Sequence, residues 1–257
     1  MPRFEKLEFG ANEEPSARSG PAQPPKMDEV QWMKQAEQSR RGGLYENALK
    51  YYSRALEQDR SLVAGWLGQV QMLILLDEAK EAELWSRNAL ELFPGNGELM
   101  AGRAQAFCRL GDLRQAHALS DGALQQEGQS AYRWMVRGEL MLAGKQRVEA
   151  HCFDKARQLD HDWLVPLETA LIYLYYRASS KALNQVRQAV HAAPEQYYPW
   201  YVQGVCQMKL GFNRQARHSF DRCLELCPGH AGARNRLEKL EGKWGGWTRL
   251  WRRIAGE

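Results

Sequence analysis

The sequence predicts an all-α solenoid, a stack of helix–turn–helix hairpins that occupies most of the 257 residues. Two nearly identical heptapeptides give the first indication: LGDLRQA at 110–116 and LGFNRQA at 210–216 match at five of seven positions. The second indication is a set of paired small residues, seven apart, that recurs every 34 residues except across one interval: Ala48/Ala55, Ala82/Ala89, Ala116/Ala123, Ala182/Ala189 and Ala216/Cys223. A fixed period of this length is the signature of a repeat architecture.

Composition places the chain among ordinary globular proteins. Hydrophobic residues make up 44% of the chain and charged residues 26%. The first 20 residues lack a basic start followed by an apolar stretch, and no run of about 18 uncharged apolar residues occurs, so neither a secretory signal nor a spanning helix is predicted. The five cysteines are an odd number and thinly spread, which favours reduced core thiols. These features predict a cytoplasmic location.

Each repeat is marked by a bulky residue near its start and a small or modest residue four places later. Six repeats are predicted on this basis, starting near Glu29, Val63, Gly97, Ala131, Trp163 and Tyr197. The starts are 34 residues apart except for one interval of 32, which explains why the two heptapeptides lie 100 residues apart. Pro94, Pro194 and Pro228 are predicted to end three of the repeats, because proline stops a helix.

This pattern resembles the tetratricopeptide repeat, a 34-residue helix–turn–helix unit, over roughly residues 29–230. The resemblance implies a right-handed superhelix of six repeats with a concave inner surface. Packing physics agrees with it: no single helix pair can bury its own apolar face, so neighbouring pairs must stack. Small residues are then needed where the helices approach most closely.

The chain is predicted to divide into three segments. Residues 1–26 are rich in proline, glycine, serine and charge, without periodicity, and are expected to be flexible. Residues 27–242 hold the six repeats and a capping helix, in which Leu237 and Leu240 can cover the end of the stack. Residues 243–257 form a basic, aromatic tail.

In the resembled family, ligands contact the second, fifth, ninth, twelfth and thirteenth residues of each repeat. The residues at such places that are predicted to line a partner-binding groove here are Met33, Leu67, Met135, Leu164, Leu167, Leu171, Leu174, Tyr198, Tyr201, Val205 and Met208. Since this groove is apolar towards its C-terminal end, it suits an amphipathic helix or an extended apolar segment of a protein partner. A second copy of the chain is a further candidate occupant, and cover by a cap or by the protein's own termini is the structural alternative.

One subclass of the family binds acidic C-termini of chaperones through a clamp of lysine, asparagine and arginine. The corresponding places here hold Met33, Glu37, Gly68, Glu98 and Gly102. None of these side chains carries the positive charge that would strengthen a hydrogen bond to a carboxylate. The sequence therefore excludes the chain from the carboxylate-clamp subclass.

The tail carries an amphipathic pattern. Trp247, Leu250, Trp251 and Ile254 follow helical spacing on one face, while Arg249, Arg252 and Arg253 lie elsewhere, and Trp244 precedes them. Three interpretations stay open. The tail folds back on the solenoid, binds a protein partner, or lies on a membrane surface as the anchor of a peripheral adaptor.

Other functions are not supported by motifs. The chain lacks a phosphate-binding loop, a nucleophile elbow and a zincin motif, so no catalytic residue and no cofactor is expected. Cys223, Cys227 and His230 have a spacing that invites a metal site, but a closed zinc site needs four ligands, so no metal is predicted. The body of the chain is neutral overall and lacks a basic stripe, so nucleic-acid binding is not expected either.

Overall fold

The computed structural model describes residues 27–240, and every regular element in that range is a helix. The bounded helices are α1 (Glu29–Arg41), α2 (Tyr45–Gln58), α3 (Val63–Leu75), α4 (Ala79–Leu92), α5 (Gly97–Leu110), α6 (Leu113–Gln125), α7 (Ala131–Ala143), α8 (Glu149–Leu159), α9 (Leu164–Tyr175), α10 (Ser179–Ala192), α11 (Tyr197–Lys209) and α12 (Asn213–Leu226). Residues 231–240 are also helical. The predicted all-α class is confirmed.

The helices follow one another as hairpins, and we call the first helix of each hairpin the A helix and the second the B helix. Five of the six predicted repeat starts coincide with the first residue of an A helix, and α9 begins one residue after the predicted Trp163. The three prolines end their repeats as predicted: α4, α10 and α12 each stop two residues before Pro94, Pro194 and Pro228.

The small residues that revealed the period lie where helices approach most closely. All ten members of the paired set are at most 1% exposed. Gly204 illustrates the constraint, because a Cβ atom at this position would lie 2.5 Å from the ring of Phe220. Such a separation is well inside van der Waals contact, so a larger residue would force the two helices of the sixth repeat apart.

The turn between the two helices of each repeat has the same backbone geometry in all six. The fifteenth residue of each repeat lies in this turn and always has a positive φ: Gly43 (71°), Asp77 (65°), Gly111 (88°), Lys145 (56°), Arg177 (59°) and Gly211 (80°). The left-handed conformation lets the chain leave the A helix and turn back at once. Glycine adopts this conformation freely, whereas Asp77, Lys145 and Arg177 adopt it with some backbone strain.

The chain divides into two compact units. The N-terminal unit ends at Cys152 and the C-terminal unit begins at Phe153, so the boundary falls inside α8. In the C-terminal unit Phe153 meets Tyr173 edge to ring at 5.1 Å between centroids. Each unit has its own apolar clusters, such as the one built around Val136 and Leu140 in the N-terminal unit and the one around Phe220 in the C-terminal unit.

Residues 231–240 pack on the last repeat. Leu240 is 4% exposed and Ala233 is fully buried, and both belong to the apolar cluster around Phe220. Leu237 is half-buried against the same cluster. These three residues therefore pack on the same apolar cluster as α11 and α12.

Candidate partner-binding surface

The predicted groove residues fall into two groups when their exposure is compared. Six are half-buried and so present some surface: Met33, Leu67, Leu171, Leu174, Tyr201 and Met208. Five are buried: Leu167 (1% exposed), Met135 (4%), Tyr198 (8%), Val205 (8%) and Leu164 (9%). The buried group supports the helices from within, and only the half-buried group offers appreciable area to a partner.

The half-buried residues of the C-terminal unit form what we call the C-terminal apolar strip: Leu171, Leu174, Tyr201 and Met208. Leu171 and Leu174 are three residues apart on α9, which places them on one face of the helix. Leu174, Tyr201 and Met208 pack against the same buried cluster, so α9 and α11 present them together. Tyr175 follows Leu174 and is 41% exposed, which extends the apolar surface beyond the predicted residues.

Tyr201 is held in a fixed orientation by its neighbours. Its ring stacks on Tyr198 at 6.0 Å and lies 4.5 Å from the imidazole of His230, measured between centroids. The guanidinium of Arg236 lies 5.6 Å from the ring centre, and Arg236 Nε donates to the Tyr201 hydroxyl at 3.1 Å. A rigid aromatic ring with one partly covered face is a suitable anchor for a partner side chain.

Two half-buried residues of the predicted groove lie on the first two A helices of the N-terminal unit, Met33 on α1 and Leu67 on α3. Leu67 lies next to Gly102, since a Cβ atom on that glycine would be 3.6 Å from Leu67 Cδ1 and equally far from the Tyr132 hydroxyl. Met33 is similarly close to Gly65, at 3.5 Å from the position of a Cβ atom to Met33 Sδ. Each of the two apolar side chains therefore lies beside a glycine of the next repeat.

A polar network joins α5 and α7 in this unit. The Tyr132 hydroxyl donates to Gln105 Oε1 at 2.7 Å, and Gln105 Nε2 donates to Glu139 Oε2 at 2.7 Å. The other carboxylate oxygen of Glu139 is ion-paired with Arg109 Nε. Glu139 is fully buried and Gln105 is 6% exposed, so the network satisfies polar groups that would be costly to bury alone.

The two acidic residues at clamp positions are both engaged within the chain. Glu98 accepts a charge-assisted hydrogen bond from Arg133 Nε at 2.7 Å and another from the Ser130 hydroxyl at 3.1 Å. Glu37 pairs with Arg41 Nε at 3.1 Å and accepts from the Tyr52 hydroxyl at 3.2 Å. Burial, acting most strongly, raises the pKa of Tyr52 above its usual range. Both carboxylates are thus paired within the chain, and an ionised carboxylate, which can only accept hydrogen bonds, cannot hold the carboxylate of a ligand.

The pairing of Gln105 with Glu139 was not predicted from the sequence, and neither were the buried ion pair with Arg109 and the exposure of Tyr132 and Tyr175. A signal existed for the pair, because the two residues lie 34 positions apart and so occupy the same place in consecutive repeats. A carboxylate at an inward-facing place of a helix needs a cation or a donor nearby. Arg109, one turn after Gln105, could have been proposed on that ground.

Some predicted features are not addressed by this geometry. The tail residues, Trp244, Trp247, Arg249, Leu250, Trp251, Arg252, Arg253 and Ile254, lie outside the described residues. Within 27–240, no group of three or more histidine, cysteine or acidic side chains is arranged to hold a metal ion. In the same range, no helix has both the length and the apolar character that crossing a membrane requires.

Comparisons with known proteins rest on structure alone. No protein-family model matches the sequence, and no curated protein matches it. A tetratricopeptide repeat protein from Parabacteroides merdae is similar with a TM-score of 0.50 at 15% identity, over 83% of this chain and 84% of that one. The solved Cut9–Hcn1 hetero-tetramer of the APC/C gives a TM-score of 0.49 at 13% identity, over 83% of this chain but 43% of that chain.

A third similar structure is YrrB, described as a TPR protein with an unusual peptide-binding site. It gives a TM-score of 0.42 at 16% identity, over 73% of this chain and 97% of that one. At such identities structural likeness establishes the fold and leaves function to be argued from the site. The Parabacteroides structure, the repeated turn geometry and the buried small residues agree: the described part of this chain has the tetratricopeptide repeat fold.

Proposed function

We propose that this protein is a non-catalytic scaffold that binds a partner protein through the inner faces of its A helices. The observation that supports this most directly is the C-terminal apolar strip. Its four residues, with the exposed Tyr175, present apolar surface from two adjacent A helices that the described residues leave only half covered. Such a surface in a repeat protein is typical of a binding site for another chain.

The strip suits an amphipathic helix or an extended apolar segment. Its leucine, methionine and tyrosine side chains offer apolar contact, and the fixed ring of Tyr201 offers one rigid anchor. Methionine adapts its shape to different partners because its side chain is unbranched and flexible. In the N-terminal unit the Tyr132–Gln105–Glu139 network is buried apart from the half-buried Tyr132, so it stabilises the contact between α5 and α7 and presents little polar surface.

The titratable groups favour binding over catalysis. Burial raises the pKa of the Cys206 and Cys223 thiols to about 12, which suppresses the thiolate that a nucleophilic cysteine needs. The buried carboxylate of Glu139 is committed to Arg109 and Gln105 and is not positioned as a free base. These are the properties of structural groups, so we assign no catalytic role to any described residue.

Replacing strip residues with glutamate tests the proposal. We expect the Leu171→Glu/Leu174→Glu variant to lose the partners that the natural chain captures in affinity purification from its native cells. The matched control is Leu84→Glu/Leu92→Glu, two leucines of the B helix α4 that are 42% and 54% exposed. Circular dichroism verifies that both variants keep their helical content. Unchanged capture by the strip variant would show that the partner binds elsewhere.

A second copy of the chain is the simplest rival occupant of the strip. Sedimentation velocity over a concentration series distinguishes the two cases. If the strip pairs with another copy, the natural chain will form dimers that the Leu171→Glu/Leu174→Glu variant does not form. If the natural chain stays monomeric throughout the series, a second copy does not occupy the strip, and a different protein is the expected partner.

The alternative function, a peripheral membrane adaptor, rests on the sequence of residues 243–257. Arginines next to an apolar helical face attract anionic lipid and favour insertion at the membrane surface. Flotation with vesicles that contain anionic lipid, comparing the full chain with one that ends at Gly242, tests this function. Equal partition of the two chains would exclude the tail as an anchor.

A further inference from the structure

A pocket lies in the C-terminal unit, away from the C-terminal apolar strip. It has a volume of 720 Å³ and opens between α10 and α12, with α11 as its floor. Gln203 and Gln207 of α11 line it, four residues apart on one helix face. Tyr201 and Met208 lie seven residues apart on a different face of α11, so the same helix serves two separate surfaces.

The floor of this pocket is a chain of buried polar groups. Gln203 Nε2 donates to the Ser219 hydroxyl at 3.1 Å, and that hydroxyl donates to Gln207 Oε1 at 2.8 Å. Ser219 is fully buried, while Gln203 and Gln207 are 8% and 5% exposed. Gln207 uses its side-chain oxygen as the acceptor in this series of hydrogen bonds. Its amide nitrogen therefore has no acceptor among residues 27–240.

A side chain that is almost completely buried and keeps two unused N–H donors at a pocket surface is ready to bind an oxygen ligand. Its amide nitrogen is not fully enclosed, so a ligand oxygen in the pocket can accept from it in place of water. Because Gln207 lines the pocket, the ligand atom that it would bind lies inside the pocket. This requirement points to a carboxylate, phosphate or carbonyl oxygen.

The rim of the pocket selects among those oxygen ligands by its charge. Arg187 and Arg214 lie on opposite sides of it, both are exposed, and neither has a hydrogen bond or ion pair with another described residue. His191 and His218 also line it, whereas no aspartate or glutamate does. The excess of cationic groups favours an anion over a neutral carbonyl group.

The wall of the pocket adds an apolar requirement. Val190 and Trp200 line it, and the indole of Trp200 is fixed because its Nε1 donates to the Pro194 carbonyl at 2.9 Å. The ring also meets His218 edge-on at 6.3 Å between centroids. A free inorganic anion would leave this wall unused, whereas a peptide can place an apolar side chain on it beside an acidic one.

We propose that the pocket between α10 and α12 binds an acidic peptide segment, with a carboxylate held by Arg187, Arg214 and the Gln207 amide. An apolar side chain next to the acidic residue then packs on Val190 and Trp200. This site is distinct from the C-terminal apolar strip and does not depend on it. It gives the C-terminal unit two recognition surfaces, one apolar and one for acidic segments.

Nuclear magnetic resonance with the full chain and a capped heptapeptide, GLEALEG, tests the proposal. We expect saturable shifts of the Gln203 and Gln207 side-chain amide signals and of the Arg187 and Arg214 Nε signals. The matched peptide GLQALQG has the same apolar content without charge and should bind about tenfold or more weakly, as expected when a charged hydrogen-bonding partner is lost. Equal binding of the two peptides would overturn the proposal.

Variants locate the binding site. Arg187→Gln/Arg214→Gln changes only exposed side chains, and we expect it to weaken GLEALEG binding about tenfold. The control Lys181→Gln/Arg222→Gln removes the same net charge from the same two helices, outside the pocket, and should bind GLEALEG like the natural chain. Equal loss in both variants would mean that net charge, not the pocket, attracts the peptide, and would contradict the proposal.

A further arm separates a peptide from free phosphate. If sodium phosphate shifts the same four side-chain signals and GLEALEG does not, the pocket is a phosphate site and the peptide proposal is wrong. If GLEALEG binds and the Gln207→Met variant loses that binding while it keeps its helical content, the buried amide is established as part of the site. If Gln207→Met leaves GLEALEG binding unchanged, the Gln207 amide does not hold the carboxylate, which contradicts that part of the proposal.

Discussion

Gln105 and Glu139 occupy the same place in consecutive repeats, 34 residues apart, and are joined directly: Gln105 Nε2 donates to Glu139 Oε2 at 2.7 Å. The repeat period therefore sets this contact, since it brings equivalent positions of α5 and α7 together. The pair shows how stacking places equivalent side chains of neighbouring repeats in direct contact. Around Glu139 this contact is polar and buried, whereas Leu171 and Tyr201 in the C-terminal unit stay half-buried.

The buried ion pair makes Glu139 important for stability. Replacing it with glutamine removes the charge that faces Arg109 and places an amide where Gln105 already donates, so we expect the free energy of unfolding to fall by about 3 kcal/mol. Urea denaturation measures this loss. The control, Glu57→Gln, breaks an exposed pair with Arg54 and should cost less than about 0.5 kcal/mol. Equal effects in the two variants would contradict the burial of the pair.

The left-handed turn predicts where glycine stabilises the protein. Arg177 has a φ of 59°, so Arg177→Gly should relieve strain and raise the free energy of unfolding by about 1 kcal/mol. Lys155→Gly, in the middle of α8, should instead lower it by about 1 kcal/mol because glycine weakens a helix interior. A loss of stability in Arg177→Gly would show that the turn does not need a left-handed residue.

Burial separates the reactivity of the cysteines. The pKa of Cys206 and of Cys223 is raised to about 12 from 9.0, which lowers the thiolate fraction near pH 8 by roughly 1,000-fold. Cys227 is half-exposed and should react first with a thiol reagent such as Ellman's reagent. Mass spectrometry after brief labelling identifies the modified residue. Early modification of Cys206 would contradict the packing of α11.

His230 makes stability depend on pH. Burial lowers the pKa of its imidazole, and its Nδ1 accepts a hydrogen bond from the Ala233 backbone N–H at 3.0 Å, which requires the neutral ring. The unfolded chain therefore takes up the proton more readily, and this stabilising contribution is lost as pH falls below the unfolded value of about 6.5. Urea denaturation at several pH values should show a smaller loss between pH 7 and 5 in His230→Asn. The exposed His161→Asn is the control, and an unchanged pH dependence in His230→Asn would contradict this role.

The fold could be predicted from the sequence because many of the residues that recur every 34 positions are small residues required by close helix contacts or glycines suited to the turns. Ala48, Ala116 and Ala216 mark close helix contacts, and each is fully buried. Gly111 and Gly211 mark the turns, and both are left-handed. The other three turns were harder to predict, because Asp77, Lys145 and Arg177 adopt the same left-handed conformation without the glycine that indicates a turn.

The candidate surfaces were only partly predictable. A repeat position identifies the face of a helix but not how closely the next helix covers it, so Leu167 was predicted to line the groove and is 1% exposed, while Leu171 is half-buried. The α10–α12 pocket gave no sequence signal. Arg187 and Arg214 lie 27 residues apart, and only the packing of α10 and α12 brings them to one pocket.

Site-specific photo-crosslinking shows whether a partner protein lies on the C-terminal apolar strip. A benzophenone amino acid is placed at Leu171, on the C-terminal apolar strip, or at Leu84, exposed on the B helix α4. After irradiation in native cells, we expect a discrete partner adduct from position 171, absent from position 84 and lost when Leu174→Glu is added. Equal adducts from both positions, or adducts that survive Leu174→Glu, would contradict a partner-binding inner face.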